Sequence, residues 1–104
     1  PFRNTLMTIS ANNEGNIVTI KVRGRFDFSH QKEFRTAYES CDASKKFIVD
    51  LSTAEYLDSA ALGMLLLLLD YVDKDKSRVI LSLANDEIKS ILLISHFDEL
   101  FTIT

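Results

Sequence analysis

A single cysteine, Cys41, stands among 104 residues, so no internal disulfide can form, and no Cys/His spacing matches a zinc site. That usage fits a reducing compartment and predicts a cytoplasmic protein. Glycine is scarce as well. Gly15, Gly24 and Gly63 lie far apart, so no glycine-rich loop can cradle phosphates, which argues against ATP binding by this chain. There is no excess of basic residues either: the net charge is -3 and Lys and Arg are scattered, which argues against nucleic acid as a partner. Internal repeats, low-complexity tracts and Pro- or Ser-rich linkers are absent, so residues 1–104 are expected to form one domain around one core. The main apolar run, residues 60–69, is shorter than the ~20 residues that span a bilayer, and no cationic leader precedes it. It is expected to be a buried or partner-facing helix, without membrane insertion.

What is present alternates between strand and helix periodicity. Residues 6–11 and 17–22 are β-branched, apolar stretches separated by Asn12, Asn13, Glu14, Gly15 and Asn16, a turn-forming cluster, and read as a hairpin. Val18, Ile20 and Val22 alternate with Thr19, Lys21 and Arg23, the period of a half-buried strand. Phe34, Ala37, Tyr38 and Cys41 then recur at helical spacing behind the candidate caps Asp27 and Ser29. Residues 46–52 read as a central strand, 52–58 as a loop and 59–73 as a helix. Val79, Leu81 and Leu83 alternate as a further strand, and Asp86 and Glu87 open a helix that places Ile88, Ile91 and Leu92 on one face. A last short element follows. The order β-β-α-β-α-β-α predicts an α/β fold with a mixed four- to five-stranded, covered sheet and about three to four helices.

Chemistry concentrates where the central strand ends and the next helix begins, the usual place for a site in an α/β sheet. Asp58 and Ser59 fall there. The Ser59 hydroxyl has two local readings, an N-cap for the helix or a group presented for modification. A nucleophilic role is not supported, because no general base is in view and no G-x-S-x-G elbow surrounds it. His30 and His96 fall at helix ends, where solvated or capping roles are usual. Asp27, Asp50 and Asp58 all fall at predicted strand or loop ends and could form a magnesium or phosphoacceptor trio. The acidic pair that a phosphoacceptor receiver domain carries at the end of its first strand is missing, which argues against that reading.

The stretches GRFDFSHQKEFR, KFIVDLSTAEYLDSAALGMLLLL and VILSLANDEIKSILLISHFDELFTI together resemble the STAS domain, in particular bacterial anti-sigma factor antagonists. The most specific part is Asp50, Leu51 and Ser52, then Asp58, Ser59, Ala60, Ala61, Leu62 and Gly63. The resemblance implies a single STAS-like domain without enzymatic activity, cofactor or metal. It implies that Ser59 is phosphorylated by a partner that is both anti-sigma factor and serine kinase, with Asp27 and Asp58 as surroundings of the phosphosite. A PP2C-like serine phosphatase would reverse the modification, giving partner switching in signal transduction and transcription regulation. The alternative is a constitutive STAS-like interaction subunit of a bacterial transporter or other complex. Antagonists often carry Ser or Gly where Ala60 and Ala61 stand, and a Gly or a charge within the run from Met64 to Leu69; its unbroken apolarity here implies a more apolar partner surface.

At 100° per residue Leu62, Leu65, Leu66, Leu69 and Val72 share one face of that helix, and Ala60, Met64, Leu67, Leu68 and Tyr71 the other. The resemblance turns Leu62 inward, which leaves the second set as the expected partner-binding surface beside Ser59. Burial of that set under the preceding helix, residues 31–41, is the competing arrangement.

Overall fold

The computed structural model describes residues 8–104. Strands β1 (Ile9–Glu14) and β2 (Ile17–Phe26) form the expected antiparallel hairpin, but its turn is tighter than the polar cluster suggested. Asn12, Asn13 and Glu14 are paired with Thr19, Val18 and Ile17, leaving only Gly15 and Asn16 between the strands. Gly15 makes this possible with φ of 60°, the positive angle that a two-residue hairpin with glycine at its first central position requires. The part of the first predicted strand at Leu6 and Met7 lies outside the described residues.

A 3-10 turn (Phe28–His30) leads into α1 (Gln31–Glu39). Neither predicted cap serves α1 directly: Asp27 caps the 3-10 turn and Ser29 lies within it. Strand β3 (Lys46–Leu57) runs parallel to β2 and is far longer than predicted. Residues 53–57, assigned from sequence to a loop, pair with the second half of β2 through Arg23–Thr53, Gly24–Ala54, Arg25–Tyr56 and Phe26–Leu57. Two register irregularities interrupt this stretch, so buried positions fall three apart at Ala54 and Leu57 and the period of two is lost.

Helix α2 (Ser59–Tyr71) returns the chain to β4 (Val79–Ser82), which pairs parallel with β3. Leu83 does not continue the alternation of β4. The ladder ends at Ser82, and Leu83 turns out with φ of 64° and an exposed side chain. Helix α3 (Asp86–Ile94) is capped by Asn85, whose side chain accepts from Ile88 N at 2.8 Å, with Asp86 and Glu87 in its first turn. The last short element is β5 (Thr102–Ile103), parallel to β4 and anchored by buried Phe97 and Phe101.

The strands stand in chain order, β1-β2-β3-β4-β5, in one mixed sheet. Each of the three parallel steps encloses one helix, and the right-handed crossover rule applied to strands added in one direction puts α1, α2 and α3 on the same face. Burial agrees with this. Val18, Ile20, Val22, Phe47, Val49, Leu51, Val79 and Leu81 are fully buried, while the intervening Thr19, Lys21, Ile48, Asp50, Ile80 and Ser82 are only partly so. The covered sheet expected from the sequence is therefore covered on one face; among the described residues no helix lies over the other. No described helix is long and apolar enough to cross a membrane.

Candidate functional site

The β2–β3 ladder runs up to the start of α2. Asp58 N donates to Phe26 O at 3.4 Å, which sets the Asp27 turn beside the Asp58–Ser59 junction. Asp58 has extended backbone angles, and its Oδ1 accepts from Ala61 N at 2.8 Å, so Asp58 is the N-cap of α2. The capping reading of Ser59 is thereby corrected. A helix has one N-cap position, the preceding aspartate fills it, and Ser59 is the first helical residue. Its side chain is exposed, and the hydroxyl has no hydrogen-bond partner among the described residues.

Asp27 is the hub of the adjoining turn. Its Oδ1 accepts from Ser29 Oγ at 2.6 Å and from Ser29 N at 3.0 Å. Arg25 Nε lies 3.5 Å from Oδ2, and His30 Nδ1 lies 3.3 Å from Oδ1 without hydrogen-bond alignment. The Ser29 hydroxyl, with the Ser29 amide, His30 and Arg25 adding to it against partial desolvation, holds the Asp27 carboxyl below its ordinary value of 3.8. Asp50 does not join this group. The extension of β3 leaves it mid-strand, where its carboxylate accepts from Ser52 N at 2.9 Å. The trio considered from sequence is thus not assembled, and no cluster of three or more metal-ligating side chains occurs among the described residues. His96 is exposed and stands 3.6 Å from Glu99, away from this turn.

The expected faces of α2 are rotated. Ala61, Met64, Leu65, Leu68, Leu69 and Val72 are buried, whereas Leu66 is 40% and Leu67 50% exposed. Of the residues predicted to face a partner, Met64 and Leu68 are core. Tyr71 packs its ring against Tyr38 and Phe47, with centroids 5.1 and 6.2 Å away, and its hydroxyl donates to Cys41 O at 2.6 Å. Ala60 is half-buried and Leu67 alone of that set is well exposed. Leu66, assigned to the core, points outward. The cause is that α2 is covered on two sides, by the sheet beneath and by α1 along the flank that carries Met64 and Tyr71. What remains open is the stripe of Ser59, Gly63, Leu66, Leu67 and Asp70, spaced three and four residues apart. Leu66 and Leu67 border a groove of about 400 Å³ that reaches Glu99 and Leu100.

Sequence reasoning missed three residues at this end of the sheet. Arg25 lies over the Tyr56 ring, 4.2 Å from its centroid. Phe28, 69% exposed between Asp27 and Ser29, had a signal: a lone aromatic in a polar turn has no core to join. Leu83 had none, because its alternation with Val79 and Leu81 mimics a strand.

The STAS domain family model matches residues 8–104. The chain belongs to the STAS domain family. It is 44% identical over 92 residues to a STAS-domain containing protein of Pseudomonas aeruginosa strain UCBPP-PA14, covering 88% of this chain and 91% of that one. Its fold is similar to that of an anti-sigma factor antagonist from Mycobacterium paratuberculosis, with a TM-score of 0.76 at 14% identity over 92% of this chain and 83% of that one. It is also similar to the unphosphorylated form of the Bacillus anti-sigma factor antagonist SpoIIAA, with a TM-score of 0.72 at 14% identity over 92% and 86% of the two chains. At such identities the likeness is one of fold. In this STAS domain, the Asp58–Ser59 step from strand to helix and the turn carrying Asp27 share one end of the sheet.

Proposed function

We propose that this STAS domain is a non-enzymatic phosphoswitch of the anti-sigma factor antagonist kind. Unphosphorylated, it binds a serine-kinase anti-sigma factor or a similar regulator; phosphorylation at Ser59 releases that partner, and a PP2C-like phosphatase restores the first state. The observation that carries this reading is the exposed Ser59 hydroxyl at the first position of α2, without a hydrogen-bond partner among the described residues and with the capping task already taken by Asp58. A kinase reaches such a hydroxyl without unfolding anything. The stripe from Ser59 through Leu66 and Leu67 supplies an apolar docking face that begins at the modified residue. Phosphorylation adds about -1.5 to -2 charge there. The helix N-terminus favours that charge and Asp58 and Asp27 oppose it, so the main effect falls on the partner and little on the fold.

The constitutive-subunit reading draws on the same two exposed leucines, and one experiment separates the two. The protein is incubated with kinase and phosphatase candidates encoded beside its gene, intact mass is recorded, and affinity for the kinase is measured for the wild type, Ser59→Ala and Ser59→Asp. The phosphoswitch requires a phosphate-sized mass gain that Ser59→Ala abolishes, undiminished binding by Ser59→Ala, and binding by Ser59→Asp weakened at least about tenfold, roughly 1.4 kcal/mol. Equal affinities of the two variants, or permanent co-purification with a transporter subunit without any mass change, would rule it out.

A further inference from the structure

Resting on the reading of Ser59 as phosphoacceptor, we infer that Arg25 receives the phosphate, exchanging its present contacts with Asp27 and Tyr56 for a two-pronged contact with the phosphate oxygens. Arg25 is next to last in β2 and pairs in register with Tyr56 of β3. Its guanidinium covers the Tyr56 ring at 4.2 Å, and its Nε stands 3.5 Å from Asp27 Oδ2 with the side chain 65% exposed. The second distance is well beyond the ~2.7–2.9 Å of a charge-assisted hydrogen bond, so the ion pair is open. Asp27 does not close it because its other oxygen is held in the turn by the amide and hydroxyl of Ser29. Arg25 thus precedes Phe26, whose carbonyl accepts from Asp58 N, and it makes no close ion pair among the described residues.

A phosphate on Ser59 enters surroundings rich in carboxylates. Asp58 precedes it, and Asp27 lies across the end of the β2–β3 ladder. Against them stand Arg25, His30 with its imidazole at Asp27, and Arg23, two residues back along β2. Only a guanidinium offers parallel N–H groups that match two phosphate oxygens, and of the two arginines Arg25 already lies at Asp27. Its transfer uncovers the Tyr56 ring.

The test uses the full chain with phosphoserine incorporated at position 59 during translation. Its phosphorus resonance is titrated in the wild type and in Arg25→Ala, Arg25→Lys and Arg23→Ala. The second ionisation of free phosphoserine lies near pH 6. Removal of Arg25 is expected to raise the midpoint by roughly one unit, the scale for an opposite charge within ~4–6 Å. Lysine recovers part of the shift, and Arg23→Ala, which removes the same formal charge, leaves the midpoint unchanged. In the wild type, the Tyr56 ring resonances move on phosphorylation to the positions seen in unphosphorylated Arg25→Ala. A midpoint that moves no more for Arg25→Ala than for Arg23→Ala overturns the assignment, as does a Tyr56 ring indifferent to phosphorylation. Because no kinase is involved, failure of every kinase to modify Ser59 would count against the phosphoswitch and leave the result for Arg25 standing.

Discussion

Leu67 and Leu68 are adjacent and chemically identical, and their positions in the fold predict opposite responses to truncation. Leu68 is 0% exposed and sits in the core, whereas half of Leu67 faces water. Leu68→Ala loses the transfer free energy of the deleted methyl groups and leaves a cavity that the sheet and α1 cannot fully close, which for buried leucines costs about 2.7–5 kcal/mol. A domain of this size has a total stability of roughly 5–15 kcal/mol, so the loss is a large fraction of it. At about 4–8 °C per kcal/mol for small domains, the melting temperature is expected to fall by roughly 11–40 °C. Leu67→Ala removes a side chain already half solvated and is expected to cost under about 1 kcal/mol. Thermal and urea denaturation followed by circular dichroism read both variants, with an unchanged urea slope confirming that the native surface is intact. A fall for Leu67→Ala equal to or larger than that for Leu68→Ala would show that the orientation of α2 is wrong. The same geometry makes Leu67→Glu, not Leu68→Glu, the variant for probing partner binding in a folded protein.

Asp58→Ala removes the cap on Ala61 N and is expected to cost about 1 kcal/mol in denaturant unfolding, while Asp58→Asn, also a good cap, costs little; equal losses would assign the effect to charge instead. Gly63→Ala should stabilise by roughly 0.5–1 kcal/mol, because Gly63 lies within α2 and a Cβ there meets nothing within 4 Å; a lower melting temperature would contradict that open space. Asp27 has a lowered native pKa, so its contribution to stability is complete above the ordinary value of 3.8 and is lost as pH falls through the lowered one. Ser29→Ala should raise the Asp27 midpoint back toward 3.8 in carboxyl carbon NMR, and the stabilities of variant and wild type should differ at neutral pH and converge in acid. An unmoved midpoint would deny Ser29 its role.

The site was legible at the junction of strand and helix because the chemistry there is local. An aspartate followed by a serine ahead of a helix-forming run can be read from capping preferences, although these did not decide which of the two residues caps. The orientation of α2 was illegible for the opposite reason. Ten apolar or glycine residues in succession carry no contrast between faces, so only the tertiary neighbours, Tyr38 and Phe47 against Tyr71, decide what is buried. The second half of β3 was hidden by its register irregularities, which replace alternation by a spacing of three. Leu83 was misplaced because a strand pattern of four residues cannot announce where its partner strand stops offering hydrogen bonds. The succession of elements, by contrast, was legible in the change of period from segment to segment, and the predicted order β-β-α-β-α-β-α is the one observed, with β5 as the last short element.

That strand order bears on how the molecule is made. Each strand pairs with the one synthesised immediately before it, so the sheet can extend in the direction in which the chain leaves the ribosome. The hairpin β1–β2 closes the shortest loop and is expected to form first, and each later helix–strand unit can then add beside β2 without displacing anything already placed. The final addition is the two-residue β5, fastened chiefly by Phe97 and Phe101. Until those rings dock, the far edge of β4 stays open, so packing of Phe97 and Phe101 is the step that lets β5 cover it.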